Sequence, residues 1–179
     1  MSVVYQDFNR YPVTARENIG FGAYQHLDDM AGIEAAARRT GSLGIIEALP
    51  HGWDTILSRN YAQGTDLSGG QWQRLALARA LFAVAHGARI LVLDEPTAWL
   101  DVRSEAEFFD RFLEITHGVT SIIISHRFST VRRADHICVL DGGRIGEEGS
   151  HDQLIAAGGR YAQMFALQAA RFTDSEVAE

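Results

Sequence analysis

Apolar and polar positions follow two rhythms along this chain. After residue 71 an Ala/Leu-rich run has helical spacing, with Trp72, Leu75 and Arg79 on one side and Leu77, Leu81 and Val84 on another. Residues 2–5, 88–95 and 120–125 are short apolar runs of the kind that form buried parallel strands. Each gives way to polar residues: Gln6, the Asp94-Glu95 pair and His126. Thr14 with Glu17 spells a capping box that starts a helical turn after Pro12. Residues 28–48 are helical in composition, with a break at Thr40-Gly41, and 53–66 are polar and irregular. Asp101 can cap a helix from 102 to about 116, with Val102, Ala106, Phe109 and Leu113 on one face. A short helix is expected over 128–134. Asp141-Gly142-Gly143 signals a hairpin, and Ser150 opens a helical pair broken at Gly158-Gly159.

Strands alternating with helices predict an α/β fold whose functional groups gather at the carboxyl ends of a parallel sheet. Gln6, Asp94, Glu95 and His126 all fall just past strand ends, so that rim is where chemistry is expected. Adjacent strand residues point to opposite faces, so Asp94 and Glu95 are expected to do different jobs.

Composition narrows the function. The length of 179 residues fits one domain with an inserted lobe, and the apolar share of 46% is enough for a core. A net charge of −7 argues against a general nucleic-acid binder. Cys138 is the sole cysteine, which excludes an intrachain disulfide. No apolar run approaches membrane-span length, and residues 1–4 show no secretory signal. All 16 basic residues are arginine; the chain has no lysine.

The strongest local pattern is Leu67-Ser68-Gly69-Gly70-Gln71 directly before the helical run. Two readings fit these residues. Ser68-x-x-Gln71 is a capping box that satisfies the helix's own donors. The glycines also leave backbone N–H groups bare at a positive dipole end, which is an anion site. Asp94 and Glu95 offer hard oxygens for Mg²⁺ and a carboxylate to orient or deprotonate water, or else a plain acidic strand end. His126 can donate a hydrogen bond to a phosphate, although a lone histidine is more often structural. Gln6 can bind Mg²⁺ or hold water through its amide. His136 and Cys138 share a strand face, but sequence spacing offers no third soft ligand, so a metal site is the weaker reading there.

LSGGQ-x-Q-R-x-x-x-A-R-A-L resembles the signature motif of ATP-binding-cassette (ABC) proteins. Five motifs agree in order over Gln6 to about Arg171, covering the C-terminal two-thirds of such an ATPase domain. The resemblance implies a P-loop NTPase-type parallel sheet with an inserted helical subdomain. It places that signature lobe at about 9–87, the catalytic core at 1–8 and 88–150, and C-terminal helices at 151–179. It assigns Asp94 and Gln6 to Mg²⁺, Glu95 to general base, His126 to the switch histidine and Asp101 to the dimer-facing D-loop. Ser68, Gly69, Gly70 and Gln71 would bind ATP across a dimer with a second nucleotide-binding domain. The stretch after Gln6 resembles the part that touches a membrane domain, which puts the chain at the cytoplasmic face of a membrane, peripherally.

R-Y-P-V-T-A-R-E-N-I and the tail after G-S-H-D-Q-L point to exporters, while Tyr61–Asp66 lacks the Glu-containing pattern many exporters show. The family's Walker A loop, G-x-x-x-x-G-K-[ST], lies upstream of the Q-loop, and a chain without lysine holds no copy of it. The expectation is therefore an N-terminally truncated ATPase module, inactive alone and marginally stable, with an exposed sheet edge at Val3–Tyr5. The alternative is a non-enzymatic module lending its LSGGQ face to an intact partner. A DNA-repair ATPase of the same superfamily is disfavoured by the lack of a long heptad segment between Gln6 and Leu67. The transported substrate is not encoded here.

Overall fold

The structure is a computed structural model describing residues 1–96, 109, 112 and 116–176, with side chains to Ala169. Asp101 and most of the helix expected over 102–116 lie outside the described residues; within that span Phe109 and Phe112 are helical and buried. The chain divides into two compact units, Met1–Ile124 and Ser125–Glu179.

The first unit is built on a parallel sheet of β1 (Ser2–Val4), β2 (Ile90–Asp94) and β3 (Thr120–Ile124), in the order β1-β2-β3. Val4 pairs with Leu93, and Asp94 with Ile124. Parallel pairing with β2 in the centre is what the apolar runs predict. Burial differs from expectation at the edges. Leu91 and Leu93 of β2 are fully buried, whereas Ile122 and Ile124 of β3 are about half exposed, and Tyr5 beyond β1 is exposed. An apolar run marks a strand that is able to be covered on both faces; neighbours and layers decide whether it is.

Local chemistry sets the helix boundaries. Thr14 and Glu17 form the capping box of α1 (Ala15–Gly20): the Thr14 N–H donates to the Glu17 carboxylate at 2.9 Å, and the Glu17 N–H to the Thr14 hydroxyl at 3.3 Å. Phe21–His26 continue as a 3₁₀ segment. Asp29 caps α2 (Met30–Thr40), which stops where Gly41 turns left-handed at φ 69°, ahead of α3 (Leu43–Glu47).

Helix α4 (Gly69–Ala85) packs against α1, α2, β1 and β2. It is not two-sided, as the spacing suggests. Trp72, Gln73, Leu75 to Ala78 and Ala80 to Ala83 are all buried, so the helix runs through the core. The alanines permit this. Gly22 of the 3₁₀ segment shows how close the approach is: a Cβ there would lie 2.0 Å from the Arg79 carbonyl oxygen.

In the second unit, β4 (Ile137–Asp141) and β5 (Arg144–Gly149) form an antiparallel hairpin. Gly142 and Gly143 make the turn at φ 55° and 76°, the positive pair that a two-residue type I′ turn needs. Helices α5 (Phe128–Val131), α6 (His151–Ala157) and α7 (Arg160–Glu176) complete the unit. Ile137, Leu154 and Tyr161 form its core, joined by Phe128 and Val139. Glu147 caps α7 by accepting the N–H groups of Arg160 and Tyr161.

The half-exposed Ile122 and Ile124 give β3 a sticky face, each worth about 1 kcal/mol if its remaining exposed half is covered. The chain is therefore expected to self-associate with rising concentration. Sedimentation should show Ile124→Lys shifted toward monomer, while a sharp, monomeric, high-temperature melt of the unsubstituted chain would contradict this.

Candidate functional site

The N-terminal tip of α4 is shaped by the capping box read from the sequence. The Ser68 hydroxyl accepts the Gln71 N–H at 3.4 Å, and the Gln71 side-chain oxygen accepts the Ser68 N–H at 2.9 Å. The local reading of this motif is thus realised. It leaves the N–H groups of Gly69 and Gly70 among the orphan donors of a helix start. Neither glycine has a positive φ, and a Cβ built on either meets nothing within 4 Å. Glycine weakens a helix relative to alanine, by up to about 1 kcal/mol in an interior. Nothing within the described residues calls for it at 69 or 70, in contrast to Gly22.

Just behind the tip, polar contacts fix the helix. The Trp72 indole N–H donates to Asp66 at 2.9 Å, and the same carboxylate oxygen accepts the Leu67 N–H at 2.9 Å. These bonds, the indole's first, hold the Asp66 carboxyl below its ordinary value. Gln73, nearly fully buried, donates to the carbonyl of Pro96, the residue after Glu95. Gln73 is five positions past Ser68, about 7.5 Å along the axis, so the tip extends beyond the point where α4 is tied to the end of β2.

Arg79 anchors the far half. Its Nε donates to the Asn18 carbonyl at 2.6 Å and a terminal nitrogen to the Asn18 side-chain oxygen at 3.0 Å. Its guanidinium lies 4.5 Å over the Tyr11 ring. Burial lowers its pKa to about 10, which leaves it charged at neutral pH. Asn18, fully buried, donates in turn to the carbonyls of Tyr11, Val13 and Thr14. One arginine therefore ties α4 to the segment that follows Gln6.

At the sheet rim, Asp94 is the last residue of β2 and half-buried. Glu95 does not continue the pleat. It adopts φ 46°, a left-handed conformation uncommon outside glycine, and its N–H donates to the Ile124 carbonyl at 2.9 Å. The left-handed turn at Glu95 takes it out of the strand that ends at Asp94. Gln6 is exposed two residues beyond Val4, the partner of Leu93, so Gln6 and Asp94 both lie at the carboxyl ends of neighbouring parallel strands. The first unit thus holds the α4 tip, Gln6, Asp94 and Glu95. His126 belongs to the second unit and is exposed there, and Asp101 lies outside the described residues.

Sequence reading missed Gln73 and Arg79 as anchors. The available signal was a polar side chain at a helical position otherwise surrounded by Ala and Leu. It also missed Glu148, which pairs with Cys138 across the hairpin. The hairpin turn, once predicted, offered that register.

A family model described as "ABC transporter" matches residues 1–98. A cyclolysin secretion/processing ATP-binding protein of Bordetella pertussis is 45% identical over 172 residues, covering 94% of this chain and 23% of the relative. An ATP-dependent lipid A-core flippase of Methylococcus capsulatus is 43% identical over 169 residues, covering 94% and 27%. A solved structure described as a bacterial Atm1-family ABC exporter with ATP bound matches with a TM-score of 0.81 and 38% identity, over 94% of this chain and 28% of that one. The chain thus spans about a quarter of the length of the curated relatives it matches.

Two outcomes are expected from these contacts. Gly69→Ala and Gly70→Ala should leave the melting temperature unchanged or slightly raised. Gly22→Ala should lower stability by about 1–3 kcal/mol in urea titration, the usual cost of overpacking. Separately, a carboxyl held low by the fold contributes stability that is present above its unfolded value, near pH 4, and is lost as pH falls through its folded value. Melting temperature should therefore drop on acidification below about pH 4, and Asp66→Asn should flatten that drop.

Proposed function

The chain belongs to the ABC transporter family, and from that premise we propose that it is part of the ATP-binding, ATP-hydrolysing module of an exporter. The observation that carries the reading is the α4 tip. Two glycines stand where, among the described residues, neither backbone conformation nor crowding requires them, beside bare N–H donors at a helix start. A ligand approaching from outside gives them a purpose, and a triphosphate has the charge to suit it. The signature lobe is 9–87, the catalytic core 1–8 and 88–150, and the C-terminal helices 151–179.

In this reading Asp94 and the Gln6 amide oxygen hold Mg²⁺; hard oxygens at one sheet rim fit that ion. When bound, Mg²⁺ neutralises phosphate charge during transfer. Glu95, which leaves the strand in a left-handed turn, orients and deprotonates water. His126 donates to the γ-phosphate, and Asp101 faces a second nucleotide-binding domain. The membrane domain of the exporter docks on the stretch after Gln6 and holds the module at the cytoplasmic face. The transported substrate is chosen by that membrane domain.

These 179 residues contain no lysine, so the lysine that reaches the β- and γ-phosphates comes from residues other than these. The chain by itself is accordingly expected to bind ATP weakly and not to turn it over. Ser68, Gly69, Gly70 and Gln71 act in trans, closing on nucleotide held by a complete ATPase domain. Mixing the chain with an intact ABC ATPase domain should give ATP-dependent association, weakened at least about tenfold in Gly70→Asp, where a carboxylate opposes phosphate. Two results count against the reading: no ATP-dependent association, or turnover by the chain alone that disappears in Glu95→Gln.

A further inference from the structure

We infer that the open face of the β4–β5 hairpin binds a single zinc-class divalent transition-metal ion through His136, Cys138 and Glu148. Ile137 is buried in the core of the second unit, so Cys138, next to it in β4, faces the other way, and His136 stands just before the strand. Cys138 is paired in register with Glu148, which brings the carboxylate onto the same face. A ligand atom from each of the three residues lies within 4.8 Å of the others, and the His136 Nε2 is 3.6 Å from the Glu148 carboxylate.

The geometry suits a small ion. With bonds of about 2.0–2.3 Å, ligand atoms on one tetrahedral ion stand about 3.3–3.8 Å apart. Closing from 4.8 Å asks for about 1 Å of movement, within the rotamer freedom of exposed side chains on a fixed hairpin. The backbone is held by its Gly142-Gly143 turn and by the packing of Ile137.

The donor set selects the metal. A thiolate, an imidazole nitrogen and a carboxylate oxygen match zinc and its neighbours, and they do not match magnesium or calcium, which take oxygen ligands. One thiolate and one carboxylate balance a divalent charge. Three protein ligands leave the fourth position to water or to a ligand from a partner. All three side chains are exposed, so binding carries little desolvation cost. As the thiol binds, its proton passes to solvent, and the imidazole binds in its neutral form, so affinity falls as pH falls. Without the ion, an exposed His–Glu contact adds little to stability and gives Cys138 no part to play.

The test is titration of the 179-residue chain, reduced and metal-free, with Co²⁺ and then Zn²⁺ in competition with a chromophoric chelator. One equivalent should bind, with a thiolate-to-cobalt charge-transfer band. Cys138→Ser should abolish the band and weaken zinc at least about 100-fold, the upper end of what losing an outer-shell partner costs. Glu148→Gln should weaken zinc about tenfold or more, and His117→Gln, an exposed histidine of the first unit, should change nothing. The three ligands are exposed, so circular dichroism of each variant should match that of the original chain. Absence of the charge-transfer band, or zinc affinity unchanged by Cys138→Ser, overturns the site and leaves His136 and Glu148 as an ordinary surface pair. The readout involves no nucleotide, so it stands or falls apart from the proposed ATPase role.

Discussion

Helix α4 runs through the first unit with Trp72, Gln73 and Arg79 carried into an apolar surround, and each of the three is hydrogen-bonded. The constraint is severe. A buried donor left unmade costs about 1–3 kcal/mol, and hydrogen bonds to charged groups are worth about 1.5–3 kcal/mol. The alanine face lets neighbours in close, and the three polar anchors then fix rotation and axial position. A purely apolar helix of the same volume would pack here but would slide and turn more freely. What α4 presents at its tip is therefore set by what it grips along its length.

The anchors also couple separate stretches of sequence. Arg79 reaches Asn18 and Tyr11, so the segment after Gln6 is fastened to the helix rather than to the sheet. Gln73 reaches Pro96, so the turn at Glu95 is fastened to the same helix near its other end. Any displacement of α4 along its axis must pull on both. Such a link ties the end of β2 and the segment after Gln6 to one helix.

The readable parts of the sequence were those decided within a few residues. The Thr14 and Ser68 capping boxes, the left-handed stop at Gly41 and the Gly142-Gly143 turn each depend on neighbours in the chain. The parallel sheet was also legible, because three apolar runs ending in polar residues leave few other arrangements. What escaped depended on distance in sequence. Arg79 and Asn18 are 61 positions apart, Gln73 and Pro96 are 23, and no local pattern marks them as partners. Burial of β3 was misjudged for a related reason: composition tells what a strand tolerates, while exposure follows from how many layers lie against it. Strand alternation likewise cannot foresee the left-handed turn that takes Glu95 out of the pleat.

The capping box and the anion site at Ser68–Gln71 began as competing explanations, yet the geometry makes them compatible. The box uses the Ser68 oxygen as acceptor and the Gln71 N–H as donor. The Trp72 N–H closes the first helical bond onto the Ser68 carbonyl. Neither engages the N–H groups of Gly69 and Gly70, and the serine hydroxyl keeps its own proton to donate. The cap thus does part of the preparation an anion site needs. It fixes the backbone of the first turn, so that the remaining donors point outward before any ligand arrives, and binding then orders less of the chain. A cap that satisfies the helix's own donors therefore does not exclude an anion at the same tip.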